Sequence, residues 1–473
     1  MHRTAMRFAS FERVGAATLR TARLVFAVLL GAGSGAGPAL GANALFHAVA
    51  PDTGTDPSLS PDGGFVVGAF PSGHFRWSAS TGIVPLPILP HAVSTNGEVV
   101  VGFVTEAARW TEDEGATSLG DLSGGNAGGA TDVTPDGARI VGYDISPRSV
   151  YQAFRWTANE GMVGLGHLPG GAGFGHANAV SADGAVIVGT SDGTRGQRVA
   201  FRWTAGAGME DLGAPAGPFS SSFAHDVSQD GEVIVGLAYE VGHADAFRWT
   251  AAEGVQVLRS APDPFSGAFM SASATNADGS IVVGHGGDSL SSAFLWDPDH
   301  GVRILADVLA GLGANVAGWQ LGPATDVSAS GQVIVGEGVA PDGTRQVWIA
   351  RLCEAGGVDA DGDGVTDECD VCPFSSDPDQ QDTGGVGAGS LPDGVGDACQ
   401  CGDVDGNGRA TLADAVVIQR ALLVPPTATM SAPELCDADG NGRCTAADAV
   451  VVRRALLRPP SARIRQACAP ASP

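Results

Sequence analysis

Two acidic segments near the C-terminus hold the residues best suited to bind a metal ion. Residues 403–423 (DVDGNGRATLADAVVIQRALL) recur as residues 437–457 (DADGNGRCTAADAVVVRRALL), and both copies keep the same acidic positions and the loop asparagine. A hard cation such as Ca²⁺ takes about six to eight oxygen ligands from side chains and backbone carbonyls. Positions 1, 3, 5, 7, 9 and 12 of each loop supply such oxygens, the arginines through their backbone carbonyls: Asp403, Asp405, Asn407, Arg409, Thr411 and Asp414, then Asp437, Asp439, Asn441, Arg443, Thr445 and Asp448. This spacing predicts two calcium sites.

The sequence around each loop predicts a loop followed by one helix. Gly408 and Gly442, at position 6, permit the sharp turn that a calcium loop makes. Position 12 is Asp rather than the longer Glu, and no helical pattern precedes either loop. Apolar residues after each loop predict a short helix with one apolar stripe, so that the two helices pack on each other. The stripes are Val416, Val417, Leu422 and Leu423, and Val450, Val451, Leu456 and Leu457.

The duplicated loop and helix have EF-hand loop spacing and resemble the type I dockerin module over residues 401–468. The resemblance implies two calcium loops related by approximate two-fold symmetry, calcium as the cofactor, and a cohesin-like or cell-surface protein as the partner. In dockerins, loop positions 10 and 11 help to choose the partner and often carry a hydroxyl pair. Here they are Leu412–Ala413 and Ala446–Ala447. The alternative is a calcium-stapled folding unit without a partner, as in small domains with thin cores.

A second acidic stretch, DADGDGVTDECDVCP, lies upstream at residues 359–373. Its carboxylates would repel one another strongly without a bound cation. It resembles a thrombospondin type 3 repeat, which implies further calcium ligands at Asp359, Asp361, Asp363, Val365, Asp367 and Asp370. A second unit departs from that pattern through the insertion 384–392, and its candidate ligands are Asp377, Asp379, Asp382, Asp393 and Asp397. The alternative is a disordered acidic linker.

All eight cysteines lie between residues 353 and 468. An even number in an acidic, loop-rich region favours disulfides and an oxidising compartment. A zinc site at the Cys369-x-x-Cys372 spacing is disfavoured because no second such pair follows. Many pairings are possible, and module boundaries suggest one: Cys353 with Cys369, Cys372 with Cys399, Cys401 with Cys468, and Cys436 with Cys444.

The N-terminus and the charge predict an exported protein. Residues 1–44 have the order of a secretory signal peptide: scattered arginines, the apolar run 24–30, then small residues, with cleavage expected after Gly41, Ala42 or Ala44. The apolar run is too short to span a bilayer. The net charge of −26 makes nucleic acid and anionic membranes poor partners. We therefore expect a secreted or cell-surface protein without a transmembrane segment after signal cleavage.

The cysteine-free region before Cys353 is a series of seven repeats. A glycine in a tight turn recurs at Gly63, Gly97, Gly137, Gly184, Gly231, Gly279 and Gly331, and a tryptophan recurs at Trp77, Trp110, Trp156, Trp203, Trp249, Trp296 and Trp348. Several short strands per repeat of 40–50 residues are typical of a β-propeller. One repeat predicts strands at 178–181, 186–189, 199–204 and 209–212, with a hairpin turn at Asp183–Gly184. Residues 45–50 are expected to supply the outer strand that the last repeat lacks and so close the ring. Seven blades are expected, with a six-bladed ring or an open array as alternatives.

The repeat motifs AFRWT, LGxLPGG and VSxDGxxVVG resemble the HAF-type extracellular repeats of bacterial secreted proteins over residues 45–352. The resemblance implies little biochemistry, and no activity transfers residue by residue. Alternation along a strand places Phe201 and Trp203 on one face, as a repeated core pair. The recurring arginines, such as Arg202 in the same motif, are interpreted as structural.

No catalytic motif is recognisable in the sequence. The histidines have no metal spacing, and there is no P-loop or nucleophile elbow. Acidic residues outside the turns could form the carboxylate pair of a glycosidase, but their spatial separation cannot be predicted; they are Glu106, Glu112, Glu114, Glu210, Glu240 and Asp245.

The sequence thus predicts a mainly β protein with five segments: signal peptide 1–44, repeat propeller 45–352, calcium and disulfide linker 353–400, dockerin-like module 401–468 and tail 469–473. The expected function is a calcium-binding scaffold or adhesion protein. Its propeller would present loops to an extracellular polysaccharide or protein, and its C-terminal module would attach it to a partner. The alternative is a glycoside hydrolase or polysaccharide lyase tethered by the same module.

Overall fold

The structure is a computed structural model. It describes residues 44–51, 55–70, 73–79, 81–122, 124–125, 127–171, 173–194, 196–213, 221–240, 242–259, 263–265, 269–287, 292–353, 360, 372, 396–423, 426–439 and 443–456. The predicted signal peptide, apart from Ala44, and most of the predicted thrombospondin-like segment lie outside these residues.

Seven four-stranded antiparallel sheets form the blades of a β-propeller, and the predicted mainly β fold is confirmed. The first blade contains β2 (Thr55–Leu59), β3 (Val66–Phe70), β4 (Gly73–Ser78) and β5 (Gly82–Leu86). The second contains β6 (Leu89–Val93), β7 (Val100–Phe103), β8 (Ala107–Thr111) and β9 (Gly115–Ser118). The third contains β10 (Gly128–Val133), β11 (Arg139–Ile145), β12 (Tyr151–Thr157) and β13 (Gly161–Gly164). The next three are β14 (Gly175–Val180), β15 (Val186–Asp192), β16 (Arg198–Thr204) and β17 (Gly208–Asp211); β18 (Ser221–Val227), β19 (Val233–Glu240), β20 (His243–Thr250) and β21 (Gly254–Val257); and β22 (Met270–Thr275), β23 (Val282–Gly286), β24 (Ser292–Asp297) and β25 (Gly301–Ile304).

The seventh blade closes the ring with strands from both ends of the propeller. It comprises β26 (Gln320–Val327), β27 (Val333–Val339), β28 (Arg345–Leu352) and β1 (Ala44–Pro51). β1 pairs antiparallel with β28, so that Leu45 lies opposite Arg351. The predicted closure by residues 45–50 is therefore confirmed. The first strand of each blade contacts that of the next, and β26 contacts β2.

The repeated turn explains why each repeat begins with a hairpin. In the fourth blade, the Ser181 hydroxyl donates to Asp183 Oδ1 and accepts from the Val186 amide, at 2.7 and 3.0 Å. Gly184 follows with φ of +68°, which L-residues rarely adopt. The predicted turn and the four predicted strands of this repeat are confirmed, with ends that differ by a few residues.

The predicted core pair of phenylalanine and tryptophan holds in the first blade, where Phe75 and Trp77 are both buried, but the burial of the tryptophan varies between blades. Phe201 is 0% exposed, as are its counterparts Phe75, Phe154, Phe247 and Phe294. Trp203 packs against the same cluster, which agrees with a shared face, but it is only partly buried. The arginine of the motif instead approaches the tryptophan of the next blade, for example Arg109 at 5.7 Å from the Trp156 ring centroid. These arginines thus join blades, as expected for structural residues.

One helix of the propeller was not predicted. α1 (Leu305–Gly311) connects the sixth and seventh blades. Leu305 and Leu309 are fully buried against the last two blades. Their spacing, with Val308 and Leu312, is helical and could have indicated this element.

The C-terminal part contains α2 (Leu412–Ala421), a 3₁₀ helix (Pro433–Cys436) and α3 (Ala446–Ala455). α2 and α3 contact each other, as predicted. The 3₁₀ helix precedes the second loop, where no helical structure was expected. The predicted apolar stripes are partly wrong, because Ala415, Ile418, Ala449 and Val452 form the core while Leu423 is 52% exposed and Val450 42% exposed.

Two of the predicted disulfides are confirmed. Cys372 pairs with Cys399 and Cys436 with Cys444, with Cα–Cα distances of 5.6 and 5.2 Å. Cys353 and Cys401 are also disulfide-bonded. Their predicted partners, Cys369 and Cys468, lie outside the described residues.

Candidate metal centres and the propeller channel

Each C-terminal loop brings three carboxylates to one point. Ligand oxygens of Asp403, Asp405 and Asp414 lie within 4.8 Å of one another, and the same holds for Asp437, Asp439 and Asp448. These residues occupy positions 1, 3 and 12 of the two loops. Carboxylate oxygens in this number and proximity suit a hard cation such as Ca²⁺.

The first loop wraps its backbone around a buried carboxylate. Asp403 Oδ1 accepts from the amides of Gly406 and Asn407 at 2.9 and 3.1 Å, and Oδ2 accepts from Gly408 at 2.6 Å. Burial, together with the neighbouring Asp414 carboxylate, raises the pKa of Asp403 to about 6, although the three backbone hydrogen bonds lower it. A cation between the two carboxylates would offset this repulsion.

The last ligand position of each loop also begins a helix. Thr411 is the N-cap of α2, and Asp414 Oδ2 accepts from the Thr411 amide and hydroxyl, both at 2.8 Å. Thr445 and Asp448 form the same capping box at α3. The remaining oxygen of Asp414 accepts from the Asp405 amide at 3.1 Å. Each Asp therefore connects the loop to the first turn of its helix, a role that the T-x-x-D pattern signals and the sequence analysis missed.

The structure describes some of the other predicted calcium ligands, and the rest lie outside the described residues. Asn407 is exposed and donates to Asp405 Oδ1, Arg409 is half-buried, and Arg443 is exposed. Asn441 lies outside the described residues. In the acidic stretch upstream, only Asp397 is described, and it is half-buried. The other candidates there lie outside the described residues: Asp359, Asp361, Asp363, Val365, Asp367, Asp370, Asp377, Asp379, Asp382 and Asp393.

The propeller encloses a channel of about 250 Å³ lined by the first strand of every blade. Three aspartates line it, one each from the third, fifth and seventh blades, and each connects its blade to the next. Asp132 Oδ2 accepts from the Val180 amide at 2.8 Å, Asp226 Oδ2 from Thr275 at 2.8 Å, and Asp326 Oδ2 from Leu59 at 2.7 Å. These aspartates were not predicted as site residues, although x-D-V recurs before the turn in these three repeats.

The residue before each of these aspartates makes a second connection between blades. The Thr131 hydroxyl donates to the Ala177 carbonyl at 2.9 Å, and the Thr325 hydroxyl donates to Pro57 at 2.6 Å. His225 Nδ1 lies 2.7 Å from the Ala272 carbonyl oxygen. The polar residues of the channel wall are therefore largely engaged in holding the ring together.

Burial and mutual repulsion raise the pKa values of the channel aspartates. Burial raises the pKa of Asp132 to about 7 and that of Asp326 to about 6, against two or more hydrogen bonds to each. The pKa of Asp226 lies well above its usual range, first through burial and then through the charge of Asp326. Each of the three aspartates borders the cavity and is half-buried.

The acidic residues considered for catalysis do not line the channel cavity. Glu114 forms an ion pair with Arg109, and Asp245 forms one with Arg259. Within the part of the chain that the structure describes, no helix is long and apolar enough to cross a membrane.

Comparison with known proteins identifies the C-terminal module. The family model of the dockerin type I domain matches residues 401–457. No curated protein matches the chain. TolB from Acinetobacter baumannii is 17% identical, with a TM-score of 0.37, over 54% of this chain and 62% of its own length. The chain thus spans less than two thirds of that protein. Oligogalacturonate lyase from Vibrio parahaemolyticus is 13% identical, with a TM-score of 0.43, over 66% of this chain and 92% of its own.

The chain therefore combines two modules of different class. A seven-bladed β-propeller precedes a dockerin type I domain that occupies residues 401–457.

Proposed function

We propose that the protein is an exported calcium-dependent scaffold, in which the dockerin domain attaches the propeller to a cohesin-like or cell-surface partner. The observation that carries this proposal is the dockerin match at residues 401–457 together with the paired acidic clusters inside it. The propeller would act as the ligand-binding part.

Calcium is the cation that best fits the two loops. We propose that the oxygens at positions 1, 3, 5, 7, 9 and 12 of each loop bind the ion. Asp403 and Asp437, at position 1, would be central ligands. Burial of Asp403 beside Asp414 supports this choice, since two close carboxylates in a folded loop need a compensating charge. The thrombospondin-like stretch between residues 353 and 400 would add further calcium sites to the linker.

Export agrees with the cysteine chemistry. Disulfides persist in oxidising compartments, and the described residues contain two complete pairs. The proposal includes a signal peptide at residues 1–44 that directs export, and repeats of the HAF type in the propeller.

Calorimetric titration of Ca²⁺ into the full-length, disulfide-intact chain, paired with circular dichroism at 222 nm, tests the proposal. We expect several sites and a gain in helix signal from α2 and α3. The double variant Asp403→Ala/Asp437→Ala should lose the tight sites, whereas the control Asp113→Ala, an exposed propeller aspartate, should keep them.

Partner binding forms the second part of this test. Immobilised type I cohesins should retain the wild-type chain in Ca²⁺ and release it in a chelator. A wild-type chain without calcium-dependent helix gain would contradict the calcium-dependent mechanism. Retention that survives both chelation and the double variant would contradict attachment through the loops.

A further inference from the structure

Four aromatic rings form a closed cluster between the third and fourth blades. We call this cluster, made of Tyr143, Tyr151, Phe174 and His176, the aromatic platform. Ring centroids are 5.8 Å apart for Tyr143–Tyr151, 5.2 Å for Tyr151–Phe174, 6.2 Å for Phe174–His176 and 4.1 Å for His176–Tyr143. Interplanar angles do not exceed 36° in these pairs. All four residues are half-buried, so the cluster is partly open to solvent.

The platform lies where the β11–β12 connection meets the segment that precedes β14. Tyr143 and Tyr151 flank the β11–β12 connection, and Phe174 precedes β14. His176 Nδ1 lies 2.6 Å from Asn178 Oδ1, and Asn178 lines the channel. Asn178 thus connects the platform to the channel wall.

The backbone that carries Phe174 is held in place before any ligand arrives. Its carbonyl accepts from the Asp192 amide at 3.0 Å and from the Ser191 hydroxyl at 3.1 Å. Asp192 Oδ2 also accepts from the Gly173 amide at 3.2 Å. Arg198, in an ion pair with Asp192, lies 3.6 Å from the centroid of the Phe174 ring. A rigid surface loses less conformational entropy on binding.

The repeat does not place these aromatics in every blade. The packing residue Phe201 recurs in blade after blade, whereas the position of Tyr143, directly after V-G, holds Ala69, Phe103, Thr190, Leu237, His285 and Glu337 in the other repeats. The cross-strand register places Gly129, Phe223 and Ser271 where the fourth blade has His176. The tyrosine pair and its contacts with Phe174 and His176 distinguish this site from the two-ring contacts His91–Phe103 and Phe269–His285 of other blades.

The chemistry of the platform suits an amphipathic, uncharged ligand. No residue in the described part of the chain hydrogen-bonds the phenol of Tyr143 or Tyr151, so both hydroxyls can serve a ligand. A pyranose ring offers C–H faces that pack on aromatic rings and hydroxyl edges that hydrogen-bond to phenols and imidazole. Arg198 is neutralised by Asp192, and the chain carries a net charge of −26, which opposes acidic polymers.

We propose that Tyr143, Tyr151, Phe174 and His176 bind a sugar unit of a neutral extracellular polysaccharide. This inference rests on the proposed role of the propeller as the ligand-binding part of the scaffold. It names the site and the class of ligand.

Retention of the full-length, calcium-loaded protein on three probes tests the inference: microcrystalline cellulose, galactomannan and polygalacturonate. We expect at least one neutral probe to bind and polygalacturonate not to bind. Tyr151→Ala and Phe174→Ala should each weaken binding at least tenfold, and Tyr151→Phe, which keeps the ring, should weaken it two- to fivefold. Phe103→Ala is the matched control, since Phe103 occupies the position of Tyr143 in the second blade, and it should bind as the wild type does.

Failure of this inference can be distinguished from failure of the proposed function. Asp403→Ala/Asp437→Ala should keep polysaccharide binding while losing calcium-dependent docking. No binding to either neutral probe, stronger binding to polygalacturonate, or equal loss in Phe103→Ala would overturn the inference and leave docking intact. Tyr151→Phe keeps the ring and its packing, so a loss of affinity in this variant would not come from misfolding. Full wild-type affinity in Tyr151→Phe would overturn the role of the phenol.

Discussion

Replacement of Asp132 by Asn should destabilise the propeller at acidic pH and stabilise it at alkaline pH. The folded-state pKa of Asp132 is about 7 because of burial, whereas the ordinary value is 3.8. Between these values the folded state holds a proton that the unfolded chain lacks. A raised pKa in the folded state therefore stabilises the propeller at low pH, and this stability is lost as the pH rises through about 7.

The structure sets the size of the effect. The folded-state pKa of about 7 lies above the ordinary 3.8, and a difference of one in pKa corresponds to about 1.4 kcal/mol, so the stability that Asp132 alone contributes should fall by about 4 kcal/mol between pH 4 and pH 8. Asp132 accepts from the amides of Val133 and Val180, and an Asn side chain has one oxygen to serve both. The lost hydrogen bond costs about 1 kcal/mol at every pH. Asp132→Asn should thus be about 1 kcal/mol less stable than the wild type at pH 4 and about 3 kcal/mol more stable at pH 8.

Urea unfolding of the full-length chain in Ca²⁺, followed by tryptophan fluorescence from pH 4 to pH 8, measures this crossover. Tryptophan reports on the propeller alone, because all eight tryptophans lie between residues 77 and 348. Asp136→Asn is the control: the Thr134 hydroxyl holds the pKa of that exposed carboxyl below its usual range, so the free energy of unfolding should change by the same amount at pH 5 and pH 8. A free energy of unfolding for Asp132→Asn that parallels the wild type from pH 4 to pH 8 would refute the reasoning.

Three further changes have defined outcomes. Chelation of Ca²⁺ should lower the circular dichroism signal at 222 nm from α2 and α3 and leave tryptophan fluorescence unchanged, because the tryptophans lie outside the dockerin domain; a fluorescence change of equal size would show that the modules unfold together. Phe201→Ala should lower the free energy of unfolding of the propeller by about 3–5 kcal/mol, since this side chain is 0% exposed; Trp203→Ala, at a partly buried position, should cost less in the same urea titration. Deletion of residues 44–51 should lower the thermal midpoint of the tryptophan signal, because β28 would become an edge strand; an unchanged midpoint would contradict closure by β1.

Much of the fold follows from short-range patterns that the sequence displays directly. The Ser181–Gly184 turn and the period of about 40–50 residues predict the hairpins and the blades, because the turn geometry depends on neighbouring residues. The missing strand of the last repeat predicts ring closure through residues 45–50. Helix α1 was missed because it is short, and the stripes of α2 and α3 were assigned wrongly because the partner helix decides which positions are buried. Ala415 and Ala449 fit that narrow interface, while Val450 stays exposed.

The sequence by itself determined the blade repeat and the duplicated acidic loops, because each depends on residues that are close along the chain or that recur at a fixed period. It left the cysteine pairing open, and the structure selected the pairs Cys372–Cys399 and Cys436–Cys444. The tertiary structure alone decided which side chains meet across blades. Asp132, Asp226 and Asp326 belong to blades separated by long stretches of chain, and only ring closure places their charges within reach of one another. The aromatic platform likewise joins β11, β12 and the start of β14, and its geometry depends on how two blades pack, which no local pattern specifies.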